Sequence, residues 1–472
     1  MTNMSNPFGG KVDEEGTDAL WIIISSFIIF TMQSGFGLFE SGMVSRRSEA
    51  NVIVKNMLDV TLGGLAYWFI GFGFSFGPNT KDSAKMSGEG YFLTDVDLNN
   101  EAHVYTQYFF QLSFATTATT IVSGAVAERI HLTSYIIFAI INTGLIYVFP
   151  AHWMWSSDGW LATNGAYDFA GSSVVHMSGG AAALVAAIIL GPRRGRFDQS
   201  EEKRSFGMAS PTNVVLGTFF LWWGWIGFNC GSTFAVTGGL WKVASRVAVV
   251  TMNGAIAGGF SAVLLCISLY CKRHYVLDIP QFVSGVLGGL VAITACASVI
   301  SPWESIVIGF IGGMIANGVI ALLNALKVDD PVGCFGVHWA SGLWSMICVG
   351  LFAKKTSPFD LVIEDGLFKG GSGKLLAYNI AGAMAISVWS GGLTAIVFFI
   401  LKYTIGIRMS YEQELLGSDQ VEHNIVEDTI PNEGNHVLGK HVAAADIKYR
   451  GSRTKKGDTN DNIEMKMENA AV

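Results

Sequence analysis

Runs of about twenty apolar residues recur along this chain, near 20–43, 57–77, 104–126, 133–153, 169–191, 211–229, 247–270, 280–299, 305–325, 334–353 and 376–402. A helix of about 20 residues crosses the hydrocarbon core of a bilayer, so the pattern predicts an all-α integral membrane protein with eleven transmembrane helices. Several runs carry closely spaced small residues, as in Gly254-Ala-Ile-Ala-Gly-Gly259, Gly285-Val-Leu-Gly-Gly289 and Gly309-Phe-Ile-Gly-Gly313. In lipid such faces let helices approach closely, because packing rather than hydrophobic burial drives association there.

The polar connections give an orientation. Arg46-Arg47, Arg129, Arg193-Arg194-Gly-Arg196 with Lys203-Arg204, Lys272-Arg273 and Lys327 all follow odd-numbered spans. By the positive-inside rule those loops face the cytosol, the amino terminus (1–18) is extracellular and the tail is cytosolic. The loop from Asn79 to His103 on the other side is acidic, although Lys354-Lys355 reduces the contrast. Residues before the first span include Asp13, Glu14, Glu15 and Asp18 and lack the basic head of a cleavable signal peptide. Asn3-Met4-Ser5 matches a glycosylation sequon, but its nearness to the terminus argues against use.

Composition agrees with the span pattern: hydrophobic residues make up 50% of the chain, charged ones 14%, with 56 glycines. The net charge of −7 is spread over loops and tail and implies no nucleic-acid partner. The six cysteines lie in or near apolar runs without metal-ligand spacing, so neither a disulfide framework nor a metal is expected, and no cofactor motif is present.

Two histidines fall inside apolar runs at matched positions, Asp168-Phe-Ala-Gly-Ser-Ser-Val-Val-His176 and Asp330-Pro-Val-Gly-Cys-Phe-Gly-Val-His338. Titratable side chains are costly in hydrocarbon and usually line a polar pathway. Two copies with the same spacing suggest an inverted repeat of five helices, each half contributing one histidine to a shared pathway, with a peripheral eleventh helix. Asp168 and Asp330 then sit at opposite faces, each at the amino end of the fifth helix of its half, where a carboxylate caps free N–H groups.

These motifs, with Gly124-Ala-Val-Ala-Glu-Arg-Ile130 and Gly224-Trp-Ile-Gly-Phe-Asn229, resemble the Amt/Mep/Rh ammonium transporters, and more closely the Amt branch, from about residue 20 to about residue 423. The resemblance implies a homotrimer in the plasma membrane with a pore through each subunit, and a 19–403 membrane domain. It implies that Trp155 and Ser232 form an outer site for ammonium, that Phe114 belongs to that site and closes the pore mouth with Phe228, and that Asp168 supports the site from beneath. His176 and His338 correspond to the paired pore histidines.

Each implied role has a physical basis. Aromatic faces attract a small cation by roughly 0.5–2 kcal/mol, and a serine hydroxyl accepts an N–H bond. Potassium has a similar size, so aromatic attraction alone cannot select. An apolar lumen imposes a desolvation cost that potassium cannot escape, whereas ammonium can shed a proton and cross as ammonia. Two neutral imidazoles each offer a donor and an acceptor and pass a proton without a permanent buried charge.

Glu40, in Phe39-Glu-Ser-Gly42, stands where many relatives have a neutral residue. It is expected to snorkel to Arg46 or Arg47, or else to tune the inner vestibule. Residues 404–423, with Arg408, Glu412, Glu414, Asp419 and Glu422, resemble the family's cytosolic regulatory segment, which packs on a neighbouring subunit. The polar stretch 424–472 is expected to be disordered, and its Ser and Thr residues are candidate substrates of a cytosolic kinase. An ammonium sensor with vestigial transport, or an Rh-like conductor of ammonia, carbon dioxide or alkylamines, are the alternatives; a membrane enzyme is disfavoured because no nucleophile–base pair is evident.

Overall fold

A computed structural model describes residues 13–78, 85–197, 206–270, 276–355 and 359–425. The sequon at Asn3 and nearly all of the 424–472 tail lie outside the described residues. Among the described residues eleven long helices follow one another: α1 Glu14–Met43, α2 Arg46–Phe76, α3 His103–Ala125, α4 over 132–155, α5 Ser172–Leu190, α6 Pro211–Gly231, α7 Trp241–Tyr270, α8 Ile279–Thr294, α9 Pro302–Ala325, α10 Phe335–Phe352 and α11 Lys374–Thr404. Each predicted span corresponds to one of them.

The largest boundary difference is in α2, which begins at Arg46 rather than at the predicted 57. Its first turns carry Asn51, Lys55, Asn56 and Asp59, all buried inside the bundle, so polarity along the sequence disguises an interior face. Helix α3 similarly buries Thr116, Thr117, Thr119 and Thr120.

Helix starts follow local chemistry. The Asp13 side chain accepts from Gly16 N to cap α1, and Asp278 caps α8 through Gln281 N. Ser301 and Glu304 form a capping box at α9 with Pro302 in the first turn, where its missing N–H costs nothing. Helices α1 and α6, the first of each repeat, run antiparallel in close contact. A Cβ added at Gly217 would collide with Phe39 N, and one at Gly35 would lie 2.9 Å from Leu221 N. Helices α7, α8 and α9 meet through glycine faces in the same way: a Cβ at Gly258 would collide with Gly285 O. The five described cysteines are buried with free thiols.

At the basic end of the bundle a buried ionic clasp ties four connections together. The Arg193 guanidinium donates to both Asp329 carboxylate oxygens, at 2.8 and 2.9 Å, and to Glu128 Oε1. Glu128 also accepts from the backbone and hydroxyl of Ser45, while Arg129 donates to Asp329 O at 2.8 Å. Burial alone would raise the Asp329 carboxyl, but the hydrogen bonds and charge of Arg193 hold it down to about 2.

After α11 the chain folds back onto this basic end of its own subunit. His131 N donates to Ile407 O and Met409 N to Arg129 O, both at 3.0 Å. Two short helices follow, α12 Tyr411–Leu416 and α13 Ser418–His423. Buried Glu414 accepts from Arg194 N and Arg408. Asp419 accepts from Ala50 N and Asn51 N at 3.0 and 2.7 Å, supplying the cap that α2 lacks from its own sequence, and Glu422 accepts from Leu132 N at the start of α4.

Replacing Arg193 with Ala strands two buried carboxylates and is expected to cost about 3–5 kcal/mol, read as a lower thermal midpoint in detergent. The pH dependence has a definite sign. Because the folded-state value of Asp329 lies below its ordinary 3.8, its contribution is present above about pH 4 and fades as pH falls towards 2; a clasp strengthened by acid would contradict this.

Candidate functional site

The Asp168 carboxylate organises the start of α5. Its Oδ1 accepts from Gly171 N and Ser172 N, both at 2.9 Å. Its Oδ2 accepts from Ser173 N at 2.6 Å, Ser173 Oγ at 2.7 Å and Val174 N at 3.2 Å. Five donors occupy the carboxylate, which therefore acts as a brace for the helix end rather than an open cation ligand. Gly171 turns the chain with φ of 100°, and a Cβ there would lie 2.9 Å from Val175 and 3.1 Å from Trp155. The second half repeats the device more sparsely: Phe335 N donates to Asp330 Oδ2 at 2.9 Å.

Both fifth helices open with a π-helical turn, Ser172–Met177 and Phe335–Ala340, and each turn contains the histidine. Such turns re-aim side chains and are common at functional sites. They bring His176 and His338, 162 residues apart in sequence, face to face inside the bundle. Their Nδ1 atoms lie 3.2 Å apart and the rings 5.2 Å between centroids at 17°. Nε2 of His176 is buried and has no protein hydrogen-bond partner among the described residues.

At the end opposite the basic loops lies a cavity of about 370 Å³, lined by Trp155, Phe114, Ser232, Gln111, Asp168 and Phe234 among others. Trp155 Nε1 donates to Asp168 O at 2.8 Å, which fixes the indole. Its ring meets Phe114 edge to face at 5.7 Å. Ser232 Oγ donates to Phe228 O at 2.8 Å, leaving its lone pairs to accept. Phe114 stacks on Phe228 with centroids 3.9 Å apart at 11°, and Phe228 lies 5.7 Å from His176. Cavity, stacked rings and histidine pair thus form one continuous column, containing all seven residues singled out from the sequence.

Three further members of the column escape sequence reasoning. Trp225 stacks on His176 at 4.8 Å and 17°, held by its Nε1 donating to Thr294 Oγ1 at 2.9 Å. Phe110 stacks on Phe114 at 4.8 Å, and Phe36 lies 6.1 Å from His338. Helical spacing holds a signal for two of them, since Trp225 precedes Phe228 by three positions and Phe110 precedes Phe114 by four.

Eleven spanning helices around a buried aromatic and imidazole column define an all-α membrane transporter fold. A sequence model of the Ammonium Transporter Family matches residues 20–427, and the chain belongs to that family. It is 43% identical over 438 residues to "Putative ammonium transporter 3" of Caenorhabditis elegans, covering 90% of this chain and 62% of that relative, so it spans less than two thirds of that protein's length. It is 36% identical to "Ammonium transporter Amt2" of Archaeoglobus fulgidus, covering 89% of this chain and 91% of the relative. Among solved structures, one described as "Sensor Amt Protein" superposes with a TM-score of 0.78 at 32% identity, covering 87% of this chain and 98% of that one.

Asp168→Ala would leave four backbone N–H groups and one hydroxyl without their acceptor, at about 1–3 kcal/mol for each group left buried and unpaired. Ammonium uptake is expected to be lost together with thermal stability. Normal uptake at equal abundance in the membrane would show that the brace is dispensable.

Proposed function

We propose that this protein moves ammonium across the plasma membrane as a homotrimer with one pore per subunit, its amino terminus outside and its tail in the cytosol. The observation that carries the mechanism is the 3.2 Å contact between the Nδ1 atoms of His176 and His338 beneath the stacked phenylalanines. Ammonium is recruited in the outer cavity by Trp155, Phe114 and Ser232, Asp168 bracing the site from below. It passes the Phe114–Phe228 stack and loses a proton, and ammonia continues along the apolar lumen.

A hydrogen bond between two Nδ1 atoms forces complementary tautomers. One ring carries Nδ1–H and leaves its Nε2 a bare acceptor; the other accepts at Nδ1 and carries Nε2–H. A proton taken up at the first Nε2 is matched by transfer between the Nδ1 atoms and release from the second Nε2. Neither ring holds lasting charge, so a proton moves while an alkali cation meets only the desolvation barrier.

The test is an ammonium pulse on reconstituted protein at a solid-supported membrane. The double variant His176→Ala, His338→Ala should lose the sustained current while remaining folded. His176→Asp, with fixed negative charge in the lumen, should admit potassium. An unchanged current with potassium still excluded in the double variant would overturn the relay.

A sensor reading has support from the docked segment 404–423, which caps α2 and α4 through Asp419 and Glu422. Transport is favoured because both histidines and both phenylalanines form a continuous column. Docking supports the regulatory role proposed for the segment: truncation before Gly406 should reduce uptake although it removes no residue of the column, and truncation after Asn424 should have much less effect. Equal uptake for both at matched surface expression would make the segment a passive extension. The tail residues suggested as kinase substrates lie outside the described residues.

A further inference from the structure

Beside the histidine column the bundle encloses three ionisable residues that the mechanism above does not use: Glu40 on α1, and Lys55 and Asp59 on α2, all buried. Glu40 is bonded inward and does not reach Arg46 or Arg47, which corrects the snorkelling expectation. Its Oε2 accepts from Asn56 Nδ2 at 3.1 Å. The Thr120 hydroxyl lies 2.9 Å from Asn56 Oδ1 and 2.8 Å from Asp59 Oδ2. The Tyr135 hydroxyl is 2.9 and 2.7 Å from the two Asp59 oxygens, and Lys55 Nζ donates to Ser123 O at 3.1 Å while lying over the Tyr135 ring. Buried ions are a costly way to join helices that hydroxyls and amides could join alone.

The position of Glu40 indicates a use for that charge. Phe36 of α1 lies beside His338, with ring centroids 6.1 Å apart. One turn along α1 is Glu40, and one turn back from His338 is Cys334. The two meet at Gly124 of α3, where an added Cβ would lie 3.3 Å from Glu40 Cδ and 3.2 Å from Cys334 Sγ. The same point falls against Val332 Cγ2, and Val332 with Met43 lines a cavity of about 350 Å³ at the basic end. Glu40 therefore sits about one helical pitch, roughly 5.4 Å, beyond His338 towards that cavity.

We propose that Glu40 is the proton-exchanging residue at the inner end of the pore, returning to ammonia the proton that the histidine pair carries. This rests on the transport reading above. In the first step the N–H bond of the histidine relay breaks and an O–H bond forms on the Glu40 carboxylate, the proton crossing the one-turn gap through intervening water. In the second, that O–H bond breaks and an N–H bond forms on ammonia, giving ammonium and restoring the carboxylate. The groups facing Glu40 are Lys55 and Asp59 from α2, Ser123 from α3, Tyr135 from α4 and Cys334 before α10. With Lys55 and Asp59 both ionised their charges cancel, so the cluster alternates between no net charge and one negative charge as Glu40 gains and loses its proton.

The experiment reads two signals from full-length protein in vesicles pulsed with isotope-labelled ammonium chloride: current at a solid-supported membrane, and total uptake from the labelled nitrogen retained inside, whether it enters with or without its proton. Glu40→Gln should lower the current by about a hundredfold, the lower range for loss of an acid–base group, while total uptake stays at the parent's level. Glu40→Asp should restore part of the current with a displaced pH optimum. Retention of the parent current in Glu40→Gln overturns the proposal, as does an equal fall in both signals, which marks a packing role. If Glu40→Gln does not assemble, Glu40→Asp carries the test alone, and an unchanged ratio of current to uptake with an unchanged pH optimum overturns it. A parent that takes up ammonia without current removes the proton route but keeps transport, whereas a parent with neither signal removes the transport reading itself.

Discussion

The rest of the pore depends on the desolvation of charge. A lumen built from Phe114, Phe228, Trp225 and Phe36 offers a permanent cation no replacement for its water, and the polar groups at its centre are two imidazoles joined through Nδ1 at 3.2 Å. In the proposed mechanism those imidazoles provide a route that only a species able to give up a proton can use. In this account affinity at the outer cavity recruits, and acidity selects.

Keeping two buried rings in register requires support from outside the lumen. Asp168 gathers the first N–H groups of α5, Gly171 makes the turn that lets them converge, and a π-helical turn aims His176 inward. Asp330 and the turn at Phe335–Ala340 do the same for His338 from the other half. Trp225 then fixes His176 from the side, itself anchored by Thr294. The inverted repeat thus makes the site twofold in its construction: one capped, π-turned helix enters from each end, and the pair meets where the two halves face each other.

Much of this architecture is legible in the sequence because lipid leaves few alternatives. Apolar runs of sufficient length must be helices, and the matched Asp-to-His spacing exposes the repeat. Polarity along the chain misleads where a helix turns a polar face inward: α2 begins well before the predicted 57 because Asn51, Lys55 and Asn56 are interior residues. The same effect obscures Glu40, whose place near the helix end suggests Arg46 and Arg47 as partners but which bonds across to Asn56. Motif resemblance locates the seven column residues, yet the 3.9 Å ring stack and the Nδ1 contact arise from helices far apart in sequence, and no spacing rule encodes them. Trp225 shares a helix face with Phe228 by its spacing, but its contact with His176 depends on how α6 is rotated against α5.

The central claim, that ammonium must give up its proton to cross, is tested most directly by comparing ammonium-evoked current through the reconstituted protein in ordinary and heavy water under otherwise matched conditions. Obligatory proton transfer through the histidine pair predicts a fall in current clearly greater than the change in solvent viscosity accounts for. A current that follows viscosity alone would contradict the account and point to passage of the intact ion.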